Sequence, residues 1–355
     1  MNKGLRVMRI KNVQKGEVID DDPKFMALEH QKEFDDFALN AGDILISLTG
    51  NVGRVGRLKK EHEPAVLNQR VAHIQPIDGA PCLSEFLFAL LNTDKFESDA
   101  IAGSSGMAQA NLSSKWVGDY QIPLPPLEVQ KEIVAEIEGY QKVINGARAV
   151  LDNYRPLIPI HPDWPIKQIG ELVTINNGFV LTEMPDSGTV ACVKVSDMNL
   201  AENQREIVTS SHWMQNTTKS LLPVNSVIFP KRGAAIATNK KRITRIPCLI
   251  DNNCMGLTVR SDAELVPEYL FFFLVGFDLA SISNSAGIAL INNGDISSVK
   301  IPLPPLATQQ AIVAEIEAEQ ALVAANRELI ARFEKKIQAT LARVWGEDKP
   351  APAEE

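Results

Sequence analysis

At 355 residues the chain is too long for one ordinary domain, so two are expected. Hydrophobic residues make up 45% and charged residues 23%, a balance that excludes disorder throughout. A net charge of −8 excludes a uniformly basic nucleic-acid coat, so any nucleic-acid contact has to be a local patch. No apolar run approaches the roughly 18 residues of a membrane span, and no signal-peptide core follows Met1. With Cys82, Cys192, Cys248 and Cys254 forming no C-x-x-C pair, we expect four reduced thiols in a cytoplasmic protein.

Residues 1–121 read as a first mixed α/β domain. Apolar runs at 43–48 and 65–74, bounded by Gly, Pro, Asn or Asp, predict strands, and 83–91 predicts a short helix. Ile122-Pro123-Leu124-Pro125-Pro126-Leu127 then opens a long stretch free of Pro, and we expect a helix over 122–155 that stops near Tyr154, ahead of Pro156. Residues 156–163 form a linker and 164–300 a second domain, with strands at 189–195 and 226–230 and a buried helix at 266–275. The same hexapeptide returns at 301–306, and a helix from about Thr308 to Trp345 ends at Gly346, which sets a second helical segment at 301–346. Residues 347–355 are expected to be a disordered acidic tail.

The two hexapeptides are 179 residues apart, and at the same spacing Gln130 matches Gln309 and residues 133–138 match residues 312–317. A weaker echo upstream, 183 residues apart, relates 83–88 to 266–271 and 42–46 to 225–229. The fold class is therefore α+β with an internal repeat: domain, helix, domain, helix. The first copy is the shorter one. Asp163 to Ser187, with Trp164 to Leu172 at its front, have no counterpart in it, so the first domain is expected to be N-terminally incomplete.

Both helices carry apolar residues at seven-residue spacing. Ile137, Ile144 and Leu151 do so in the first, with Ile133 on the companion seam. In the second the series is Ile316, Val323, Ile330, Ile337 and Val344, with Phe333 on the companion seam. That pattern predicts a coiled-coil pair serving as a rigid spacer. The Pro-rich hexapeptides, each at one register before a helix, are expected to shape helix entry. Binding to an aromatic-lined module is the rival reading.

The sequence contains no phosphate-loop, zincin or nucleophile-elbow motif. The five histidines, His30, His62, His73, His161 and His212, show no metal-ligand spacing, and the Gly-rich stretch 49–56 is expected to be a turn between strands. Charge distribution says more. Residues 44–60 hold Arg54, Arg57, Lys59 and Lys60 without an acid. Residues 207–250 hold Lys219, Lys231, Arg232, Lys240, Lys241, Arg242 and Arg245, again without one. These windows sit at equivalent places in the two copies, and a basic loop in each is what phosphate contact requires. Asn51, Gln69, Arg70, Thr238 and Asn239 are expected beside them as readers of base edges.

Two variable domains, each followed by Ile-Pro-Leu-Pro-Pro-Leu, a Gln and a long helix, resemble the specificity subunit of type I restriction-modification systems, and Trp164–Leu172 resembles that family's usual start of a target-recognition domain. The resemblance covers nearly the whole chain. It implies two target-recognition domains, each reading half of a bipartite sequence in double-stranded DNA, and two antiparallel helices that set the gap. It also implies a subunit without catalysis, partnered by two N6-adenine methyltransferase subunits and a motor-nuclease subunit. S-adenosylmethionine, ATP and magnesium would belong to those partners. Residues 152–156 and 161–165 also resemble methyltransferase-specificity fusion polypeptides, so the chain reads alternatively as the specificity part of such a fusion. A coiled-coil protein adaptor without DNA binding is the remaining alternative.

Overall fold

The structure, a computed structural model, describes residues 4–106, 110–180, 186–284 and 287–347, without the side chains of His30 and Gln31. The tail expected over 347–355 lies, from Asp348 on, outside the described residues. The chain divides into two compact units, residues 1–149 with 327–355, and residues 150–326.

In the first unit β1 (Leu5–Met8) is followed by a small hairpin of β2 (Val13–Gln14) and β3 (Glu17–Val18), then by β4 (Phe25–Met26) and β5 (Ala38–Leu39). Next come β6 (Ile44–Ser47), β7 (Val55–Arg57), β8 (Ala65–Leu67) and β9 (Val71–Ile74). The single strand expected at 65–74 is thus two, broken at Asn68, whose side chain accepts the Arg70 N–H and whose carbonyl accepts that of Val71. One sheet has the order β4-β1-β8-β5, with β1 and β8 parallel, and another the order β7-β6-β9, antiparallel throughout. Helix α1 (Ser84–Leu91) lies where expected, whereas α2 (Asp94–Ala102) and α3 (Ser114–Asp119) were not foreseen. Their N-termini are marked by Thr93 and Ser113, whose hydroxyls accept the N–H groups of Phe96 and Trp116. Phe86, Leu90 and Phe96 are fully buried, each contributing about 2 kcal/mol of hydrophobic stabilisation.

The second unit repeats this plan. Its β12 (Val190–Val193) pairs in parallel with β17 (Cys248–Ile250) and antiparallel with β14 (Trp213–Met214), as β1 does with β8 and β4. Its second sheet has the order β11-β18-β15-β16-β13, built from β11 (Val173–Asn177), β13 (Glu206–Ile207), β15 (Val227–Pro230), β16 (Arg242–Thr244) and β18 (Cys254–Val259). Within it β16-β15-β18 matches β7-β6-β9. Helix α6 (Pro267–Gly276) matches α1 and α7 (Asn293–Ser297) matches α3. Three elements have no counterpart among the described residues of the first unit: β10 (Ile166–Gln168), the single turn α5 (Ile169–Leu172) and β11. β10 pairs with β19 (Lys300–Pro302).

The long helices are α4 (Leu127–Asn153) and α8 (Leu306–Trp345). They begin at the last residue of each hexapeptide, because consecutive prolines hold the preceding residues extended. One glutamine per copy fixes the entry. Gln130 is fully buried, accepts the Leu83 N–H at 2.9 Å and donates to the carbonyls of Pro81 and Pro125. Gln309, also fully buried, accepts the Val266 N–H at 2.8 Å and donates to Glu264 and Pro304. In both copies the hexapeptide leads directly into the helix and accepts from the buried Gln, as the structural reading expects. α8 ends at Gly346, at φ +72, where the N–H groups of Gly346 and Glu347 bond Arg343 and Ala342.

The seven-residue seam is the packed side of both helices. Ile144 and Ile316 are buried, and Ile133, Ile137, Leu151, Val323, Ile330, Phe333, Ile337 and Val344 are half-buried. In the first unit Tyr140 meets Phe333 edge to face at 5.3 Å, Glu136 accepts from Thr340 and pairs with Arg343, and Arg148 pairs with Glu334 at 2.7 Å. Contacts that fall along α8 as they rise along α4 make the pairing antiparallel. In the second unit Tyr154 donates to Glu319 at 3.0 Å.

Candidate nucleic-acid interface

In the first unit the Gly-rich stretch is the turn joining β6 to β7, as expected. Gly50 and Gly53 take φ values of +76 and +79, and a Cβ on Gly53 would lie 2.6 Å from the Ala100 Cβ, so neither position suits a larger residue. The Ser47 hydroxyl donates to the Asn51 carbonyl and Arg54 bonds the Gln14 carboxamide at 2.6 Å. The Leu48 N–H donates to the Arg70 carbonyl, which brings the Gln69–Arg70 turn beside this one. Asn51, Gln69 and Arg70 are exposed. The other expected cations are engaged differently. Arg57 is drawn onto α1, bonding Ser84 and stacking 4.6 Å from the Phe88 ring centre, which removes it from the turn. Lys60 pairs with Glu63 at 2.8 Å, and Lys59 lies within 4.0 Å of both Glu17 and Glu61. The acid-free window is met by carboxylates just beyond its end, Glu61 and Glu63, and by Glu17 from the β2–β3 hairpin.

The equivalent turn of the second unit follows β15. Lys231 donates its ammonium to the Asn177 carboxamide at 2.7 Å, Arg232 is exposed, and the Lys231 N–H bonds the Asn253 carbonyl. Asn177 donates to Asn293 at 3.0 Å, and the Asn253 side chain donates to Asp251. Lys240 reaches Asn199, and Lys219 sits 4.2 Å from the Phe179 ring centre. Partial burial, and then the neighbouring Arg232 charge, lower the Lys231 pKa. A cation held where its charge is disfavoured gains from an approaching anion.

Four expected DNA contacts of this unit are corrected by the structure. Lys241 is 3% exposed and donates to Asn239 and to the Phe277 carbonyl. Asn239 spends its carboxamide oxygen on that ammonium and on the Leu279 N–H. Arg242 donates to the carbonyls of Asn203, Lys241 and Met198. Arg245 is held by Glu206 at 2.9 Å and Glu268 at 3.2 Å. These side chains tie together the loops of the domain, their donors and acceptors engaged by partners within it. Thr238 is exposed, with its hydroxyl turned to the Ala235 carbonyl.

Burial lowers the Lys241 pKa from 10.5 to about 8. Between about pH 8 and about pH 10.5 the unfolded chain therefore holds more protons at this group than the folded chain does. Stability is expected to rise with pH across that window, and the full cost of charging the buried amine applies below it. Urea unfolding at a series of pH values reads this directly, and Lys241→Met is expected to abolish the rise attributable to this group.

Among the described residues no group of three His, Cys, Asp or Glu is placed to hold a metal ion, and no helix is long and apolar enough to cross a membrane. All four cysteines are free.

A family model described as the type I restriction modification DNA specificity domain matches residues 7–149 and again 162–335. The chain belongs to this family. Among curated proteins it is 28% identical over 153 residues to the specificity subunit of the type I restriction enzyme MjaVIII of Methanocaldococcus jannaschii, covering 41% of this chain and 35% of that protein. It is 24% identical over 157 residues to the EcoBI specificity subunit of Escherichia coli, covering 42% and 33%. Each alignment thus spans about a third of the relative's length. A chain from a study of complex assembly and conformational transition of the type I R-M system superposes with a TM-score of 0.64 at 20% identity, covering 96% of this chain and 91% of that one. The HsdS subunit of Thermoanaerobacter tengcongensis gives 0.50 at 19% identity, covering 97% and 91%. Both likenesses are of fold.

The two matched segments of the specificity domain family each contain one turn built on equivalent strands, β6 and β15. Residues that sequence reasoning left out of this region are Asn177, Asn199, Asn253, Asn293 and Phe179. Asn177, on β11, accepts from Lys231, and Asn293, on α7, accepts from Asn177, so no local charge pattern marks either. Lys219, named in the basic window, is placed over the Phe179 ring.

Proposed function

We propose that this chain is the sequence-reading subunit of a type I restriction-modification complex. Each unit reads one half of a bipartite double-stranded DNA sequence. Two N6-adenine methyltransferase subunits and a motor-nuclease subunit assemble on it and carry S-adenosylmethionine, ATP and magnesium, while this chain supplies no catalytic group. The observation that carries the reading is the duplication itself: a polar, basic turn recurs at the end of equivalent strands, with Asn51 and Arg54 in one unit, beside Arg70 of the neighbouring turn, and Lys231, Arg232 and Lys240 in the other. Phosphate contacts from the cations would position the protein, and the asparagines beside them suit base edges.

The test is a map of N6-methyladenine in DNA from cells that express this chain together with a type I methyltransferase subunit. Methylation at a gapped two-part motif is expected. A complex that assembles and leaves DNA unmethylated, or methylates without sequence preference, would sink the proposal.

A further inference from the structure

Each unit lays a second loop across its basic turn, and the backbone bonds are the same in both. In the first unit the Gly50 N–H donates to the Ala110 carbonyl, that of Leu112 donates to Leu48, and Ser105 and Asn111 exchange a pair of bonds at 2.9 and 2.8 Å. In the second unit the Gly233 N–H donates to the Ala289 carbonyl at 2.8 Å, that of Ile291 donates to Lys231 at 2.9 Å, and Asn284 and Leu290 exchange the corresponding pair. Thr49 bridges to Asn111 as Arg232 bridges to Leu290. The second loop is anchored on both sides: Ile282 and Ala289 pack on the core, and Ile291 is 1% exposed. Gly287, at φ +110, bends the chain immediately before Ile288, and Ile288 is 75% exposed. Among the described aliphatic side chains from Ile282 to Ile291 it is the exposed one.

A lone exposed aliphatic side chain is ordinary on a protein surface. The place of this one distinguishes it. Leu290 is bridged to Arg232, whose side chain is exposed, and Ala289 accepts from Gly233, so the loop carries Ile288 alongside the cations of the turn. Those cations attract and position phosphates, which brings a double helix onto the loop. To an aliphatic side chain the major groove offers one apolar partner, the C5-methyl group of thymine. We infer, resting on the DNA-reading role proposed for this turn, that Ile288 is a specificity-determining residue that packs on a thymine methyl group in the half-site read by the second unit. The backbone bonds hold the loop in place before DNA arrives, so making the contact costs little ordering.

The probe is a duplex carrying the sequence found by the N6-methyladenine map, bound by the complex of this chain with type I methyltransferase subunits. Its thymines are replaced one at a time by deoxyuridine, which removes the methyl group and keeps every hydrogen-bonding edge. One thymine, in one half-site, is expected to cost about fourfold in affinity, the factor that burial of a single methyl group supplies. Ile288→Ala is expected to lose about that factor or more on the thymine duplex and to make the complex indifferent to deoxyuridine at that position, with its response to the other half-site unchanged. The side chain is exposed, so thermal stability should stay within the range of surface substitutions. Specific binding in which no thymine methyl group couples to Ile288 would overturn the inference and leave the DNA-reading proposal standing. A loss on Ile288→Ala that is equal for thymine and deoxyuridine at every position would also overturn it, and would make the side chain a wedge between base steps. A complex that assembles and shows no sequence preference would overturn both.

Discussion

Replacing Gln309 with Leu destabilises the second unit by about 3 kcal/mol or more. The side chain is fully buried, and its loss leaves the Val266 N–H and the carbonyls of Glu264 and Pro304 without partners, each of which costs about 1 kcal/mol or more when buried. Gln309→Glu keeps the acceptor, removes both donors and buries a charge, so it is expected to be at least as damaging. Gln130→Leu in the first unit removes the same three bonds, to Leu83, Pro81 and Pro125, and is expected to cost a similar amount. Urea denaturation with hydrogen exchange resolved by segment reads both, and it should show the loss centred on the helix entry of the mutated copy. A change within about 0.5 kcal/mol, the range of ordinary surface substitutions, would mean the clamp is dispensable.

Reversing the charge of Lys231 and Arg232 together is the second large effect. Under the DNA-reading proposal, Lys231→Glu with Arg232→Glu abolishes specific binding by the assembled complex while leaving its assembly and thermal stability close to unchanged. Arg232 is exposed, and Lys231 forms one side-chain bond, to Asn177, so the fold loses little. Neutral replacements, Lys231→Gln with Arg232→Gln, are expected to reduce the slope of log affinity against log salt by about 0.9 for each phosphate contact removed. Arg242→Met makes the contrast. It strips hydrogen bonds from three backbone carbonyls and is expected to impair folding before it impairs binding. Specific binding that survives the double reversal at low salt would place the interface elsewhere.

The contrast between Arg232 and Arg242 shows where sequence reasoning stops. Both stand in one acid-free window, and in one dimension they are equivalent cations. Folding brings the carbonyls of Met198 and Asn203 to Arg242, and Glu206 and Glu268 to the nearby Arg245, and among the described residues brings no such side-chain partner to Arg232. A charge count along the chain cannot register partners that arrive from about 40 residues away. Lys60 is a different case, because its partner Glu63 stands only three residues on, just beyond the acid-free window.

What the sequence by itself determined is the part of the molecule held by local rules and by repetition. The duplicated hexapeptide and its Gln, the helical stop at Gly346, the seven-residue seam and the absence of a first-copy equivalent for Asp163 to Ser187 were all legible. Periodicity, proline and glycine act within a turn or two of chain, and identity at a fixed spacing needs no coordinates. What only the tertiary structure decided is the fate of each polar group. Gln130 and Gln309 were visible as a repeat, but two of the three bonds each makes reach backbone that lies about 45 residues earlier. Which cations stay at the surface and which asparagines join them depend on long-range pairing. Burial and hydrogen-bond partners belong to the folded surface, and one-dimensional patterns carry them only where both partners lie on the same element.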